Sequence, residues 1–166
     1  MIKKPKAWMM VGLPYTGKSS WINHHSNNGN EPFMVIDTDS ALEHMARNAN
    51  KTYEETFHQN FREAERQMYQ RLELAKASDI HIFWDQTNLT SKSRKKKLAM
   101  IPSTYEKIAV VFPELTAEEY EKRMAARLTK IISYKVIESL KKSYEPPSLD
   151  EGFDFIIDNS HDMHYM

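Results

Sequence analysis

The stretch AWMMVGLPYTGKS occupies residues 7–19 and decides the fold. Its first five residues form an apolar run with the length of a buried β-strand. The segment from Gly12 to Ser19 then matches the pattern G-x-x-x-x-G-K-S, the phosphate-binding loop or P-loop. In this motif, successive backbone N–H groups and the start of the following helix surround phosphate oxygens. A strand before the loop and helical spacing after it complete the context that the motif requires.

Each part of this loop has a chemical role. The glycines permit a close approach of the backbone to phosphate. The lysine reaches the β- and γ-phosphates, and the serine hydroxyl is placed to ligate Mg²⁺. We therefore predict that ATP and Mg²⁺ bind here, with Lys18 also acting in catalysis. The residues that we expect to hold the nucleotide are Gly12, Pro14, Tyr15, Thr16, Gly17, Lys18, Ser19 and Ser20.

The composition excludes several classes of protein. The chain has 166 residues, with 23 Lys and Arg against 23 Asp and Glu, and no cysteine. A disulfide scaffold, a Cys-based zinc site and a cysteine nucleophile are therefore ruled out. The histidines, among them His161 and His164, show no metal-binding spacing and are interpreted as surface or loop residues. No apolar run approaches the ~18 residues of a membrane helix, so we expect one cytoplasmic domain over residues 1–166 with no membrane partner.

The rest of the chain alternates between apolar runs and polar segments with helical spacing. Further runs of strand length lie at residues 33–36, 80–84, 108–112 and 153–157. Helical spacing is found in residues 19–25, 52–77, 116–130 and 134–143. This alternation predicts an α/β fold of the P-loop NTPase type, with a parallel sheet of about five strands covered by helices on both faces. Ligands of such sheets bind beyond the carboxyl ends of the strands.

Aspartates follow two of the later runs. Asp85 ends the run at residues 80–84, where a P-loop enzyme places a carboxylate that orients the metal; we predict that it binds Mg²⁺ together with Ser19. The alternative for Asp85 is a solvated residue at a strand end. Asp37 and Asp39 follow the second run, and either carboxylate is suited to accept the proton of an attacking hydroxyl. Their alternative role is to cap the helix that begins near them.

Two groups of basic residues are candidates for contacts with phosphate. Arg123 and Arg127 lie one helical turn apart, where they can clamp a γ-phosphate or form ion pairs with Glu119 and its neighbours. Five basic residues also crowd into residues 92–97. The sequence leaves open whether this second group is a solvated face or a contact with nucleic acid.

Taken in order, these segments resemble the kinase domain of phage polynucleotide kinase and its P-loop kinase relatives, which include phage 5-hydroxymethyluracil DNA kinases. The similarity extends over nearly the whole chain. Besides the P-loop, it rests on the segments Asp37-Thr38-Asp39, Asp85 with Thr87-Asn88-Leu89, the pair Arg123 and Arg127, and Glu151-Gly152-Phe153-Asp154. The resemblance implies a helical lid and transfer of the γ-phosphate of ATP to a hydroxyl on a nucleic acid, with DNA as the expected partner.

The resemblance also assigns roles to individual residues. It implies that Asp39 is the general base and that Asp85 belongs to the metal and active-site network. It further implies that Arg127 is the lid arginine that contacts the phosphates of ATP, with Arg123 beside it.

The chain departs from the 5′-hydroxyl kinases of this family at three positions. Thr38 and Leu42 occupy places where those enzymes carry arginines, and Gln86 is an extra residue after Asp85. The acceptor therefore stays open between a 5′-hydroxyl and the hydroxymethyl group of a modified base such as 5-hydroxymethyluracil. A small-molecule kinase acting on a nucleoside or sugar, and a non-catalytic nucleotide sensor, are the alternatives.

Overall fold

A five-stranded parallel sheet forms the centre of the molecule in a computed structural model that describes residues 4–128 and 130–159. His161 and His164 lie outside the described residues. The strands run in the order β2-β3-β1-β4-β5, and every neighbouring pair is parallel. This arrangement confirms the predicted fold class. The strands are β1 (Lys6–Val11), β2 (Phe33–Ile36), β3 (His81–Trp84), β4 (Glu106–Val111) and β5 (Phe155–Asp158).

Helices connect the strands. In the described ranges they are α1 (Lys18–Asn28), α2 (Asp39–Ala49), α3 (Tyr53–Ala77), α4 (Ser91–Leu98), α5 (Ala117–Ala126) and α6 (Tyr134–Ser143), with a short 3₁₀ helix at Leu149–Glu151. None of these helices is long and apolar enough to cross a membrane.

The central strand, β1, is buried on both faces. Its alternate side chains point to opposite sides of the sheet and pack against helices on each side. On one side Met9 packs in a cluster with Met68 and Leu72 of α3. On the other side Met10 packs in a cluster with Trp21 of α1. The helices therefore cover both faces of the sheet, as the sequence predicts.

A third cluster joins α5 and α6; we call these two helices and the segment that connects them the lid. Leu115, Tyr120 of α5 and Ile137 of α6 are buried together, and Tyr15 of the P-loop packs against them. The start of α5 carries a capping box: the Thr116 hydroxyl accepts the N–H of Glu119, while the Glu119 carboxylate accepts the N–H of Thr116. The helical lid therefore lies directly beside the P-loop.

The helix predicted over residues 116–130 is wrong at its end. It stops at Ala126, and Arg127 has extended backbone angles of φ −89° and ψ 126°. The chain leaves the helix here because its next residues contact the P-loop: the N–H of Ile132 donates to the Tyr15 hydroxyl at 2.8 Å. A new helix, α6, then begins with the side chain of Ser133 as its cap.

Candidate active site

The P-loop needs its two glycines for different reasons. A Cβ at Gly12 would lie 2.9 Å from the Cβ of Phe112 and 3.0 Å from Oγ1 of Thr16, so no side chain fits there. The N–H of Gly12 donates to the Thr87 carbonyl at 3.0 Å, which joins the loop to the segment after β3. Gly17 precedes α1 with φ of 94°, in the left-handed region that favours glycine. The spacing of the motif thus follows from packing at one end and backbone conformation at the other.

The other loop residues are placed in different ways toward a nucleotide. Pro14 is buried and has no N–H to donate to phosphate. Thr16 is also buried, and its hydroxyl donates to the Leu13 carbonyl at 2.7 Å. Ser20 is exposed in the first turn of α1.

Tyr15 connects the P-loop with the lid. The guanidinium of Arg127 lies over its ring, 4.9 Å from the centroid, and the guanidinium of Arg123 donates to its carbonyl. The Tyr15 hydroxyl donates to the Lys130 carbonyl at 3.4 Å and accepts the N–H of Ile132 at 2.8 Å. The structure therefore brings both predicted arginines to the phosphate-binding loop, although Arg127 arrives from beyond the end of α5.

The lysine and serine of the motif meet the aspartate that follows β3. The Ser19 hydroxyl donates to Oδ2 of Asp85 at 2.8 Å, and the Lys18 ammonium donates to the Leu13 carbonyl at 2.6 Å. Burial lowers the pKa of Lys18 to about 8, against the opposing effect of the Asp85 charge. Burial also raises the pKa of Asp85, which the nearby Lys18 charge counteracts. The structure thus brings Lys18, Ser19 and Asp85 together.

Asp37 and Asp39, the two aspartates suited to act as the base, have different surroundings. Asp37 is 7% exposed, and its carboxylate accepts the backbone N–H of Ser40 at 2.7 Å and the Ser40 hydroxyl at 2.8 Å. The first of these bonds satisfies one backbone N–H in the first turn of α2, so Asp37 has the capping role that is the alternative for it.

Asp39 is directed toward the lid. The Tyr53 hydroxyl donates to its Oδ1 at 2.6 Å, and the Lys130 ammonium forms an ion pair with its Oδ2. The same ammonium lies 5.3 Å from the centroid of the Tyr53 ring. Burial and the neighbouring Asp39 charge raise the pKa of Tyr53, so its hydroxyl stays a hydrogen-bond donor. Neither Tyr53 nor Lys130 is identified as a site residue from the sequence.

Arg94, in the basic segment at residues 92–97, is internal. It is fully buried, and its Nε and Nη2 each donate to the Glu151 carboxylate at 2.7 Å. Its Nη1 donates to the carbonyls of Asn88 at 2.9 Å and Leu89 at 3.0 Å. Arg94 therefore joins the loop after Asp85 to Glu151 of the short 3₁₀ helix.

Lys97 of the same segment is also engaged inside the protein. Its ammonium donates to Oε1 of Gln86 at 2.8 Å and to Oδ1 of Asn88 at 2.5 Å, and burial lowers its pKa to about 8. Gln86, the extra residue, accepts a further hydrogen bond from Nε1 of Trp84 at 3.0 Å. Only the three remaining basic residues of the segment are exposed to solvent: Lys92, Lys95 and Lys96.

The sheet, the P-loop and the aspartate of the neighbouring strand together define a nucleotide-binding protein with a P-loop kinase-like fold. Residues 8–147 match the model of a family described as an AAA domain. The chain belongs to this family.

Several solved structures share the fold. A protein provisionally assigned as a kinase, from Chloroflexus aurantiacus J-10-fl, aligns over 99% of this chain and 90% of its own, with 15% identity and a TM-score of 0.66. A gluconokinase from Sinorhizobium meliloti 1021 aligns over 94% and 82%, with 14% identity and a TM-score of 0.55. A chain of the Pnkp1/Rnl/Hen1 complex aligns over 81% and 43%, with 19% identity and a TM-score of 0.56. At these identities the likeness shows the fold alone.

Proposed function

We propose that this protein is an ATP-dependent kinase that transfers the γ-phosphate to a hydroxyl on DNA or a related polynucleotide. The acceptor is a 5′-hydroxyl or the hydroxymethyl group of a modified base such as 5-hydroxymethyluracil. One observation carries the proposal: the Asp39 carboxylate is paired with Lys130, and both Lys130 and Arg127 contact Tyr15 of the P-loop. A carboxylate suited to act as the base and two cations thus lie beside the phosphate-binding loop.

The proposed reaction moves one proton and one phosphoryl group. The acceptor hydroxyl gives its proton to the Asp39 carboxylate while its oxygen forms a bond to the γ-phosphorus of ATP. The bond from that phosphorus to the β,γ-bridging oxygen breaks, and ADP leaves. Lys18 and Arg127 stabilise the negative charge on the phosphate oxygens. The contacts of Asp39 with Tyr53 and Lys130 use one lone pair on each carboxylate oxygen, so lone pairs remain for the proton.

The groups at Ser19 fit a magnesium ion. The Ser19 hydroxyl and the Asp85 carboxylate are oxygen donors 2.8 Å apart, and Mg²⁺ prefers oxygen ligands. No group of three or more His, Cys, Asp or Glu that could hold a metal occurs among the described residues. We therefore expect phosphate oxygens and water to complete the coordination of an ion held by Ser19 and Asp85. When bound, Mg²⁺ neutralises charge on the β- and γ-phosphates.

A small-molecule kinase is the second candidate, because the gluconokinase aligns with this chain over most of both lengths. The two candidates differ in how they respond to salt. Affinity for a polynucleotide falls steeply as salt increases, since counterions are released from the phosphates that the protein neutralises. A nucleoside or sugar has few or no phosphates, so its affinity should change little.

Transfer of labelled phosphate tests the proposal. The protein is incubated with γ-labelled ATP and one of three acceptors: a 5′-hydroxyl oligonucleotide, a hydroxymethyluracil duplex with blocked ends, or free nucleosides and sugars. We expect label on one of the two DNA acceptors. Label only on a small molecule would support the second candidate, and label on no acceptor would indicate a nucleotide sensor.

Two substitutions test the assigned roles. Lys18→Ala should abolish transfer. Asp39→Ala should leave ATP binding intact and reduce the transfer rate by roughly 10²- to 10⁴-fold, the usual contribution of a general base. Glu54→Ala, which removes an exposed carboxylate beside Tyr53, is the matched control and should keep full activity. Full activity of Asp39→Ala would show that Asp39 is not the base.

A further inference from the structure

A row of aromatic side chains leads away from Asp39 along α3. Tyr53, Phe57 and Phe61 are spaced four residues apart, which places them on one face of the helix. Ring centroids are 6.2 Å apart between Tyr53 and Phe57 and 5.0 Å apart between Phe57 and Phe61. The row begins at the proposed base, because the Tyr53 hydroxyl donates to Asp39.

The aromatic row lies toward the start of α3, before the apolar residues by which this helix fills the core of the described domain. Inward-facing residues of α3 such as Ala64, Met68 and Leu72 fill that core. None of the row's three rings belongs to a hydrophobic cluster of the described residues. Phe57, in the middle of the row, is 39% exposed although it is wholly apolar.

The geometry of the rings leaves the Phe57 ring partly accessible to a ligand. Interplanar angles of 36° and 45° show that the rings are tilted and not stacked on one another. The lid lies beside the start of the row, with Lys130 over Tyr53 and the next residue, Ile131, 67% exposed. Arg62 follows Phe61 in the chain and is exposed, so a cation is available at the far end of the row.

We propose that Tyr53, Phe57 and Phe61 form a stacking platform for nucleobases next to the hydroxyl that is phosphorylated. This inference rests on the proposed function and narrows it to acceptors that carry bases. Every base has a flat π-face that stacks on an aromatic ring, whereas a polyol has none. From Tyr53 to Phe61 the helix rises about 12 Å, which is long enough for more than one base.

Steady-state kinetics with an oligonucleotide acceptor test the platform. Phe57→Ala should raise the KM for the oligonucleotide by about 5- to 150-fold, the loss expected for one stacked base, and leave the KM for ATP unchanged. Phe57→Tyr keeps the ring and should behave like the parent. Leu74→Ala is the matched control, since Leu74 is an exposed apolar residue on the same helix. An acceptor that lacks the base beside its hydroxyl should bind weakly to the parent protein. The substitution Phe57→Ala should cause no further loss of affinity for this acceptor.

A binding measurement separates this inference from the kinase proposal. Phe57→Trp should show tryptophan fluorescence that the oligonucleotide quenches, whereas Leu74→Trp should not. Phosphoryl transfer to DNA with an unchanged oligonucleotide KM in Phe57→Ala would overturn the platform and leave the kinase intact. Transfer only to a sugar would also overturn it. Quenching without transfer to any acceptor would support the platform and overturn the kinase. The absence of both quenching and transfer would overturn both proposals.

Discussion

The buried ion pair between Arg94 and Glu151 allows a quantitative prediction about stability. The Arg94 side chain is fully buried, the Glu151 side chain is 4% exposed, and two hydrogen bonds of 2.7 Å join them. The substitution Glu151→Gln keeps the size of the side chain but removes its charge. The guanidinium then stays in the interior without a counterion.

The expected cost follows from the burial of the pair. Removing one partner of a buried ion pair destabilises a protein by about 3–5 kcal/mol, because the remaining charge is uncompensated. For a chain of this size each kcal/mol lowers Tm by about 2–4 °C, so Glu151→Gln should lower Tm by roughly 6–20 °C. Arg94→Met should cost more than Glu151→Gln, because the carbonyls of Asn88 and Leu89 also lose their donor.

Thermal and urea unfolding monitored by circular dichroism provide the assay. The matched control is Glu63→Gln, which breaks the exposed pair with Arg66 on α3 and should leave Tm nearly unchanged. Equal Tm values for Glu151→Gln and the parent would refute the reasoning. Acid unfolding gives a second test: burial alone would raise the pKa of Glu151, but Arg94 holds it below its usual value. The ion pair should therefore make its full contribution to the free energy of unfolding above about pH 4.3, and this contribution should be lost as the pH falls further.

Three further predictions concern the nucleotide and the base. Burial lowers the pKa of Lys18 to about 8, and a bound phosphate favours the charged ammonium, so ATP affinity should fall as the pH rises above 8. Calorimetry in two buffers should detect the proton that Lys18 takes up when ATP binds. Lys18→Arg should remove this pH dependence. Gly12→Ala forces a Cβ against Phe112, so it should abolish the rise in Tm that ATP produces in the parent. Lys130→Gln removes the charge paired with Asp39 and should reduce kcat by up to about 100-fold, with a smaller change in the Kd for ATP; an unchanged kcat would exclude a role in positioning the base.

The parts of the fold that the sequence predicts are those with strong local signals. The strands are short apolar runs, and the P-loop pattern requires a strand before it and a helix after it. The sequence indicates α2 only as a helix that the aspartates at residues 37 and 39 can cap. It does not predict α4, because the segment SKSRKKKL lacks an apolar period and only Arg94 and Leu98 are buried. The burial of Arg94 depends on a carboxylate 57 residues away, which no local pattern reveals.

The site shows the same division between local and distant contacts. Ser19 is identifiable from the sequence because it ends the P-loop pattern, and Asp85 because it follows the apolar run at residues 80–84. Lys130 is not, because its partner Asp39 lies 91 residues earlier in the chain and the helical pattern runs past the true end of α5. Tyr53 is the first residue of α3, directly after the cap Thr52, and no local pattern points to its contact with Asp39. Contacts set by tertiary packing thus account for the site residues that the sequence does not reveal.

Tyr15 links the P-loop to the packing of α5 and α6. Its ring, carbonyl and hydroxyl all contact α5 or the segment after it. A nucleotide that stabilises these contacts must by linkage be held more tightly when they are formed. We therefore expect the lifetime of spent ADP on the protein to depend on the packing of α5 and α6 as well as on the loop that holds its phosphates.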